Sequence, residues 1–286
     1  MRSLLLLLLL VPTTVAEEWV GKKCMPRAEA TFMKGDREIE QSTIALPLSV
    51  NAVEGEWLDI GPARVKKSDV VALENAAAYY TLYLLLHPGT SWAYHHRGIT
   101  RHASDKLDEA IKDYTKAIHI DPLDSASYNT RGVAMHEKGD FAAALKDFDE
   151  AIRLESTIGF FFRNRGETRE SSGDIDGALE DYERAIRLDP ADLNAYNSCA
   201  WILATSKDAC YRNPEKAVAD ATKACELSKW EDPACLDTLA AAYAAVGQFK
   251  NAVEWQEKAI SLAPQADKAN YESRLRLYRE GKPFRE

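Results

Sequence analysis

From residue 91 onward, apolar and small residues recur at helical spacing, and the pattern then repeats itself. Ser91–Asp124, Ser125–Ile158 and Gly159–Asp192 align as consecutive blocks of 34 residues without a gap. Position 4 of the blocks is Tyr94, Tyr128 and Phe162, and position 8 is Gly98, Gly132 and Gly166. Position 20 is Ala110, Ala144 and Ala178, position 24 is Tyr114, Phe148 and Tyr182, and position 27 is Ala117, Ala151 and Ala185. A fixed period of this kind marks a repeat architecture. The small residues let two helices approach closely, and the aromatic ones fill the space between them. Lys138-Gly139-Asp140 and Ser172-Gly173-Asp174 each supply a glycine to end a first helix and an aspartate to cap the second. Asp121-Pro122 and Asp189-Pro190 stop the second helix. Each block is therefore predicted to be an antiparallel helix pair whose apolar faces need neighbours.

These residues resemble the tetratricopeptide repeat (TPR) family, and the resemblance runs over residues 69–280. Residues 69–90 hold a half repeat, with Ala76, Tyr80 and Pro88 in register, and repeats 1–3 are 91–124, 125–158 and 159–192. Repeat 4, 193–232, keeps Tyr196, Ala200, Ala217 and Ala224 and is lengthened by Lys207–Asn213 between its helices. Repeat 5, 233–266, keeps Leu236, Ala240, Tyr243, Gly247, Ala252 and Ala259. In 267–286, Tyr271, Leu275 and Tyr278 share one side of a polar helix, as a terminal cap requires. The chain departs from the family at position 7, which is Arg97, Arg131 and Arg165, and at position 23, which is Asp113, Asp147 and Asp181. Repeat 5 has Leu239 and Trp255 there, and repeat 4 has Cys199 and Asp220. Charges that mostly come and go together predict an Arg–Asp contact between the two helices.

Residues 17–68 lack a helical period. Short apolar runs at Ala28–Met33, Ile44–Val53, Glu56–Ile60 and Ala63–Lys66 alternate with the turn signals Lys34-Gly35-Asp36, Glu54-Gly55 and Gly61-Pro62. Pro47 marks its run as an edge strand. Trp57-Leu58-Asp59-Ile60 followed by Arg64-Val65-Lys66 is similar to the end of a bacterial SH3-like domain, with Asp69 expected to cap the helix that follows. The fold class expected for the whole is mainly α: a TPR helical-hairpin solenoid, or superhelix, preceded by a small SH3-like β-barrel. Residues 1–16 read differently. Arg2, the leucines 4–10 and the small residues Thr14-Val15-Ala16 have the layout of a secretory signal peptide cut after Ala16. The apolar run is far too short to span about 30 Å of hydrocarbon. Export to the periplasm, cell envelope or extracellular space is the expectation, with no transmembrane segment.

Composition narrows the chemistry. Of 286 residues, 46% are hydrophobic and 28% charged, which is ordinary globular usage. A net charge of −9 argues against a nucleic-acid partner. There is no phosphate loop, HExxH, nucleophile elbow or Cys-x-x-Cys, so no catalytic site and no cofactor are expected. His95, His96, His102 and His136 crowd the first two repeats without a third ligand at telling spacing, so no metal site is assigned. Cys24, Cys199, Cys210, Cys225 and Cys235 make an odd set in which Cys225 and Cys235, at the end of one helix and the start of the next, are the candidate disulfide. The alternative is that all five are small buried side chains.

The resemblance also implies a binding face. In the family, positions 2, 5, 9 and 12 of each first helix line a concave groove. Here they include Trp92, His95, Asn129, Arg163, Asn197 and Trp201. The family's clamp for carboxylate ends is not matched, since positions 5 and 9 of repeat 1 are His95 and Ile99. The function expected is an exported scaffold or adaptor that takes a peptide or protein in this groove. The alternatives are a cell-wall anchor acting through the SH3-like domain and, more remotely, a hydrolase.

Overall fold

A computed structural model of the chain describes residues 20–39 and 46–286. The leucine run, the cleavage motif and the beginning of the Ile44–Val53 run lie outside the described residues. The chain divides into two units, one running to Asp140 and the other from Phe141 to Glu286.

The first unit opens with short strands: β1 (Lys23–Pro26), β2 (Phe32–Lys34), β3 (Arg37–Ile39), β4 (Leu48–Ser49), β5 (Ala52–Glu54), β6 (Trp57–Asp59), β7 (Arg64–Lys66) and β8 (Val70–Ala72). They form two small antiparallel sheets, ordered β4-β1-β8 and β3-β2-β7-β6-β5. Phe32 and Leu58 both stand opposite Val65, and these three fill a core with Cys24, Leu48 and Val50. Gly35 and Gly55 take positive φ at two hairpin tips, where the turn signals place them. The expected strand Ala28–Met33 contributes only its last two residues to β2, and the expected run Ile44–Val53 is divided between two sheets. The strand signal of β1 is hidden because Cys24, Met25 and Pro26 are all buried, with Cys24 facing the sheet core and Met25 the helices. Strand pairing continues beyond Ser68, through β8. Asp69 is not a helix cap: it ends a short 3-10 turn and accepts a hydrogen bond from Ser68 Oγ at 2.7 Å.

Helix α1 (Leu73–Leu86) then packs on the strands. Met25 and Val71 share a core with Tyr79, Tyr80 and Leu84, the Tyr80 hydroxyl donates to the Pro26 carbonyl, and Ala28 N–H donates to the Tyr79 hydroxyl at 3.2 Å. The half repeat thus buries its free face on the β-module. The unit closes with α2 (Ser91–His102), α3 (Leu107–Ile120) and α4 (Ser125–Glu137). On α3, Ala110, Asp113, Tyr114, Ala117 and Ile118 form the buried stripe of an amphipathic helix.

The second unit contains α5 (Phe141–Leu154), α6 (Gly159–Ser172), α7 (Ile175–Leu188), α8 (Leu193–Thr205), α9 (Pro214–Leu227), α10 (Pro233–Ala245), α11 (Phe249–Leu262) and α12 (Lys268–Arg279). Asp174, Asp192, Asn213 and Asp232 accept backbone N–H bonds at the starts of α7, α8, α9 and α10. Gly173 ends α6 in the left-handed region at φ 89°. The insertion Lys207–Asn213 forms a loop with a short 3-10 turn at Ala209–Tyr211. Tyr271, Leu275 and Tyr278 are the buried face of α12. The fold class is the expected one: a mainly α TPR solenoid of helix hairpins, with a small antiparallel β-module before it.

Position 8 shows why glycine recurs. A Cβ on Gly98 would lie 2.5 Å from the ring of Tyr114, and one on Gly166 would lie 2.9 Å from the ring of Tyr182. Both tyrosines are fully buried. Gly98→Ala should therefore lower stability by about 1 kcal/mol or more, because overpacking costs about 1–3 kcal/mol and the gain in helix propensity returns at most about 1. Adding Tyr114→Leu should recover part of the loss. Urea unfolding of the three proteins checks this; a midpoint that rises with Gly98→Ala alone contradicts it.

Candidate functional site

The predicted Arg–Asp contacts form in repeats 1 and 3. Arg97 donates from Nε and Nη2 to the two oxygens of Asp113 at 2.8 and 2.7 Å, and Arg165 does the same to Asp181 at 2.8 and 2.7 Å. A second arginine, at position 11, reaches each carboxylate: Arg101 Nη1 at 2.6 Å from Asp113 and Arg169 Nη1 at 3.0 Å from Asp181. Each position-7 guanidinium also lies over the position-4 ring one turn back, at 5.3 Å for Arg97 on Tyr94 and 5.6 Å for Arg165 on Phe162. Arg131 and Asp147 belong to different units. These groups fasten helix to helix and leave the arginines no open chemistry.

In the first unit, three of the predicted groove residues are already engaged. Trp92 packs edge-on to Tyr80 and His96 and against Tyr83, at ring separations of 6.3, 5.5 and 5.1 Å. His95 Nδ1 meets Ser127 Oγ at 2.7 Å, and Asn129 is buried on α4. His102 meets Glu137 at 2.8 Å. Burial lowers the pKa of His95, with the Asp124 charge pulling the other way. His96 is stacked on Tyr80 at 5.7 Å. Burial drives its pKa from 6.5 to about 3, His95 adds to the drop, and the Trp92 carbonyl opposes it.

In the second unit, Arg163 is not a free anchor. Its Nε lies 3.1 Å from a carboxylate oxygen of Asp192, the residue that caps α8. Asn197 and Trp201, at positions 5 and 9 of the same helix, line one cavity of about 270 Å³ together with Glu170, Asp237, Thr238 and Arg274. The Oδ1 of Asn197 is buried without a hydrogen-bond partner among the described residues. Asp237 is 4% exposed, and Arg274 from α12 grips it, Nε to Oδ1 at 2.8 Å and Nη2 to Oδ2 at 2.8 Å, with Gln256 Nε2 at 2.6 Å from Oδ1. Burial nevertheless pushes the Asp237 carboxyl above its ordinary pKa, against the pull of Arg274 and Gln256. Burial also raises Glu170, which accepts from the Tyr182 hydroxyl at 2.6 Å, and the charges of Glu286 and Glu167 raise it further. The Arg274 guanidinium lies over three rings, 5.1 Å from Tyr271 and 5.5 Å from both Trp201 and Phe284. Asp237 is not among the expected groove residues, although it holds position 5 of repeat 5, the same register as Asn197. Nothing in the period singles out Arg274, which comes from the capping helix.

The cysteines offer little reactivity. Cys24, Cys199, Cys225 and Cys235 are buried free thiols, each pushed up to about 12 by burial, and Cys210 is exposed. Cys225 and Cys235, the candidate disulfide pair, belong to one core cluster. Among the described residues, no group of three or more His, Cys, Asp or Glu is placed to hold a metal ion, and no helix is long and apolar enough to cross a membrane.

Helix hairpins of a 34-residue period, small residues at the helix crossing and a capping helix define a superhelical repeat protein, and the comparisons specify which kind. Tetratricopeptide repeat family models match residues 93–122, 113–146 and 133–272. The chain is a tetratricopeptide repeat protein. No curated protein sequence matches it. Among solved structures, the MamA protein aligns with a TM-score of 0.51 and 20% identity over 64% of this chain and 95% of its own. YrrB aligns at 0.53 and 20% over 69% and 98%, and the APC/C hetero-tetramer Cut9–Hcn1 at 0.61 and 17% over 72% and 39%. These likenesses establish the fold.

The buried histidine gives the first unit a pH signature. The unfolded chain takes up a proton at His96 near pH 6.5 that the folded state refuses down to about pH 3. The unfolded state therefore binds more protons in that window, and stability falls as pH drops through 6.5 toward 3. The stability gap between wild type and His96→Phe should shift by about 2 kcal/mol against wild type between pH 7 and pH 5, at about 1.4 kcal/mol per unit once fully developed. Denaturant titrations at the two pH values measure it, and a gap that does not move with pH contradicts the assignment.

Proposed function

We propose that this protein is an adaptor that binds a peptide or protein partner at the second unit's face around Asn197 and Trp201. The observation that carries the reading is the polar cavity on which these residues converge. It presents a buried amide oxygen without a partner, an indole and an ion-paired guanidinium, the groups that fix a peptide backbone and anchor a side chain. The fold supports the same reading, and YrrB is described as a TPR protein with an unusual peptide-binding site. Four of the five thiols are held protonated by burial, and the arginines at positions 7 and 11 of repeats 1 and 3 are consumed in ion pairs, so the reading invokes no catalysis. The leucine run and Thr14-Val15-Ala16 support export, which makes the partner a component of the envelope or the exterior. The SH3-like reading of the β-module rests on Trp57–Ile60 and Arg64–Lys66 alone, and contact with the cell wall rests on that resemblance.

Peptides selected from a random display library on the full chain should bind Asn197→Ala and Trp201→Ala at least tenfold more weakly, a loss of about 1.4 kcal/mol. Helix content should be unchanged. Glu180→Ala should bind as wild type. Arg163→Ala should act differently, lowering the melting temperature by releasing Asp192 from its ion pair. Equal affinities for all four proteins would place the partner site elsewhere.

A further inference from the structure

The cavity at Trp201 already has a neighbour that behaves as a ligand. After α12 the chain turns back, and residues 284–286 lie along the end of α8 and the inserted loop. Phe284 packs on Trp201 at a ring separation of 5.8 Å and beneath the Arg274 guanidinium at 5.5 Å. The Trp201 indole N–H donates to the Glu286 side chain. Two backbone bonds complete the grip: Glu286 N–H donates to the Thr205 carbonyl at 2.8 Å, and Lys207 N–H donates to the Glu286 carbonyl at 3.1 Å. Arg285 Nη1 donates to the Ala204 carbonyl at 2.9 Å.

These contacts have the form of peptide recognition. The main-chain bonds accept any sequence, while one aromatic slot and one indole donor, two residues apart on the bound segment, supply selectivity. The lysine that donates to Glu286 belongs to the insertion that lengthens repeat 4, so that extra loop forms one wall of the subsite. The contact is also open to exchange. Phe284 is only half-buried, Glu286 is exposed, and Glu170 on the cavity wall repels the Glu286 charge. We infer that Trp201, Arg274 and the backbone at Thr205 and Lys207 form a docking subsite for a peptide with an aromatic residue followed two positions later by a carboxylate. The segment Phe284–Glu286 is its internal occupant, which the partner displaces. This inference rests on the adaptor reading and names the chemistry of the ligand at that site.

A tethered occupant competes at an effective concentration of about millimolar, so it masks the subsite from weak peptides in solution. The probe is a fluorescein-labelled peptide of sequence Lys-Pro-Phe-Arg-Glu, read by anisotropy. Full-length Phe284→Ala/Glu286→Ala should bind it about tenfold more tightly than wild type. Adding Trp201→Ala should abolish that binding, and a probe with alanine in place of phenylalanine should fail on every protein. A chain ending at Lys282 must give the same ordering, which covers the case of a double variant that melts early. Equal affinity for wild type and both altered chains, or no binding to either altered chain, overturns the proposal. Tight probe binding combined with library peptides insensitive to Trp201→Ala would overturn the adaptor reading and leave the internal occupant standing.

Discussion

A buried carboxylate that must be matched by an arginine is the interaction on which this structure depends. Asp113, Asp181 and Asp237 are each 3–4% exposed, a location that is prohibitive for an unpaired charge. In repeats 1 and 3 the match comes from position 7 of the same hairpin, with a second arginine at position 11. The bidentate fork fixes both the distance and the rotation of one helix against the other. In repeat 5 the pair is replaced by Leu239 and Trp255, and the buried carboxylate shifts to position 5. Its arginine then has to arrive from outside the repeat, from α12. That single displacement brings Arg274 to Asp237 and, with it, gathers Tyr271, Trp201 and Phe284 around one guanidinium. The face proposed for binding in the second unit is thus a consequence of how one charge is satisfied.

What could be read from the sequence is what repeats. Gly98 and Tyr114 hold recurring positions of the same register, and their contact follows from the spacing once the blocks are aligned. The Arg97–Asp113 and Arg165–Asp181 pairs were legible for the same reason, because charges that recur together on facing helices imply each other. The groove register puts Asn197 and Trp201 on one helix, and both line one cavity. It did not foresee that Arg163 is held by Asp192 or that Trp92 is packed among Tyr80, Tyr83 and His96, since neither Arg163 nor Trp92 recurs at its position and the period offers no second instance of either contact. The β-module was only partly legible. Strands of two to four residues leave little room for alternation, and β1 is buried on both sides, so its signal is a plain apolar run. The contacts of Phe284 and Glu286 with Trp201 join residues more than eighty positions apart and involve a tail that occurs once, where no internal comparison is available.

The β-module has a physical role that is independent of any ligand. A solenoid that begins with a lone second helix exposes an apolar face, and α1 is such a helix. Met25 and Val71 cover it, and the hydroxyls of Tyr79 and Tyr80 tie it to the backbone of residues 26–28. The other end is covered by α12. Both ends of the repeat array are therefore closed by elements outside the period, and at the α12 end the closure also lines the Trp201 cavity.

The Asp237–Arg274 pair is the contact that holds this end of the array together. Because burial raises Asp237 even with its arginine present, the pair should be costly to break from one side and cheap to replace from both. The decisive measurement is a double-mutant cycle in urea with Arg274→Met and Asp237→Leu. Arg274→Met alone should cost about 3 kcal/mol or more, most of it recovered in the double variant. A loss below about 1 kcal/mol for Arg274→Met, the size expected of an exposed ion pair, would contradict it.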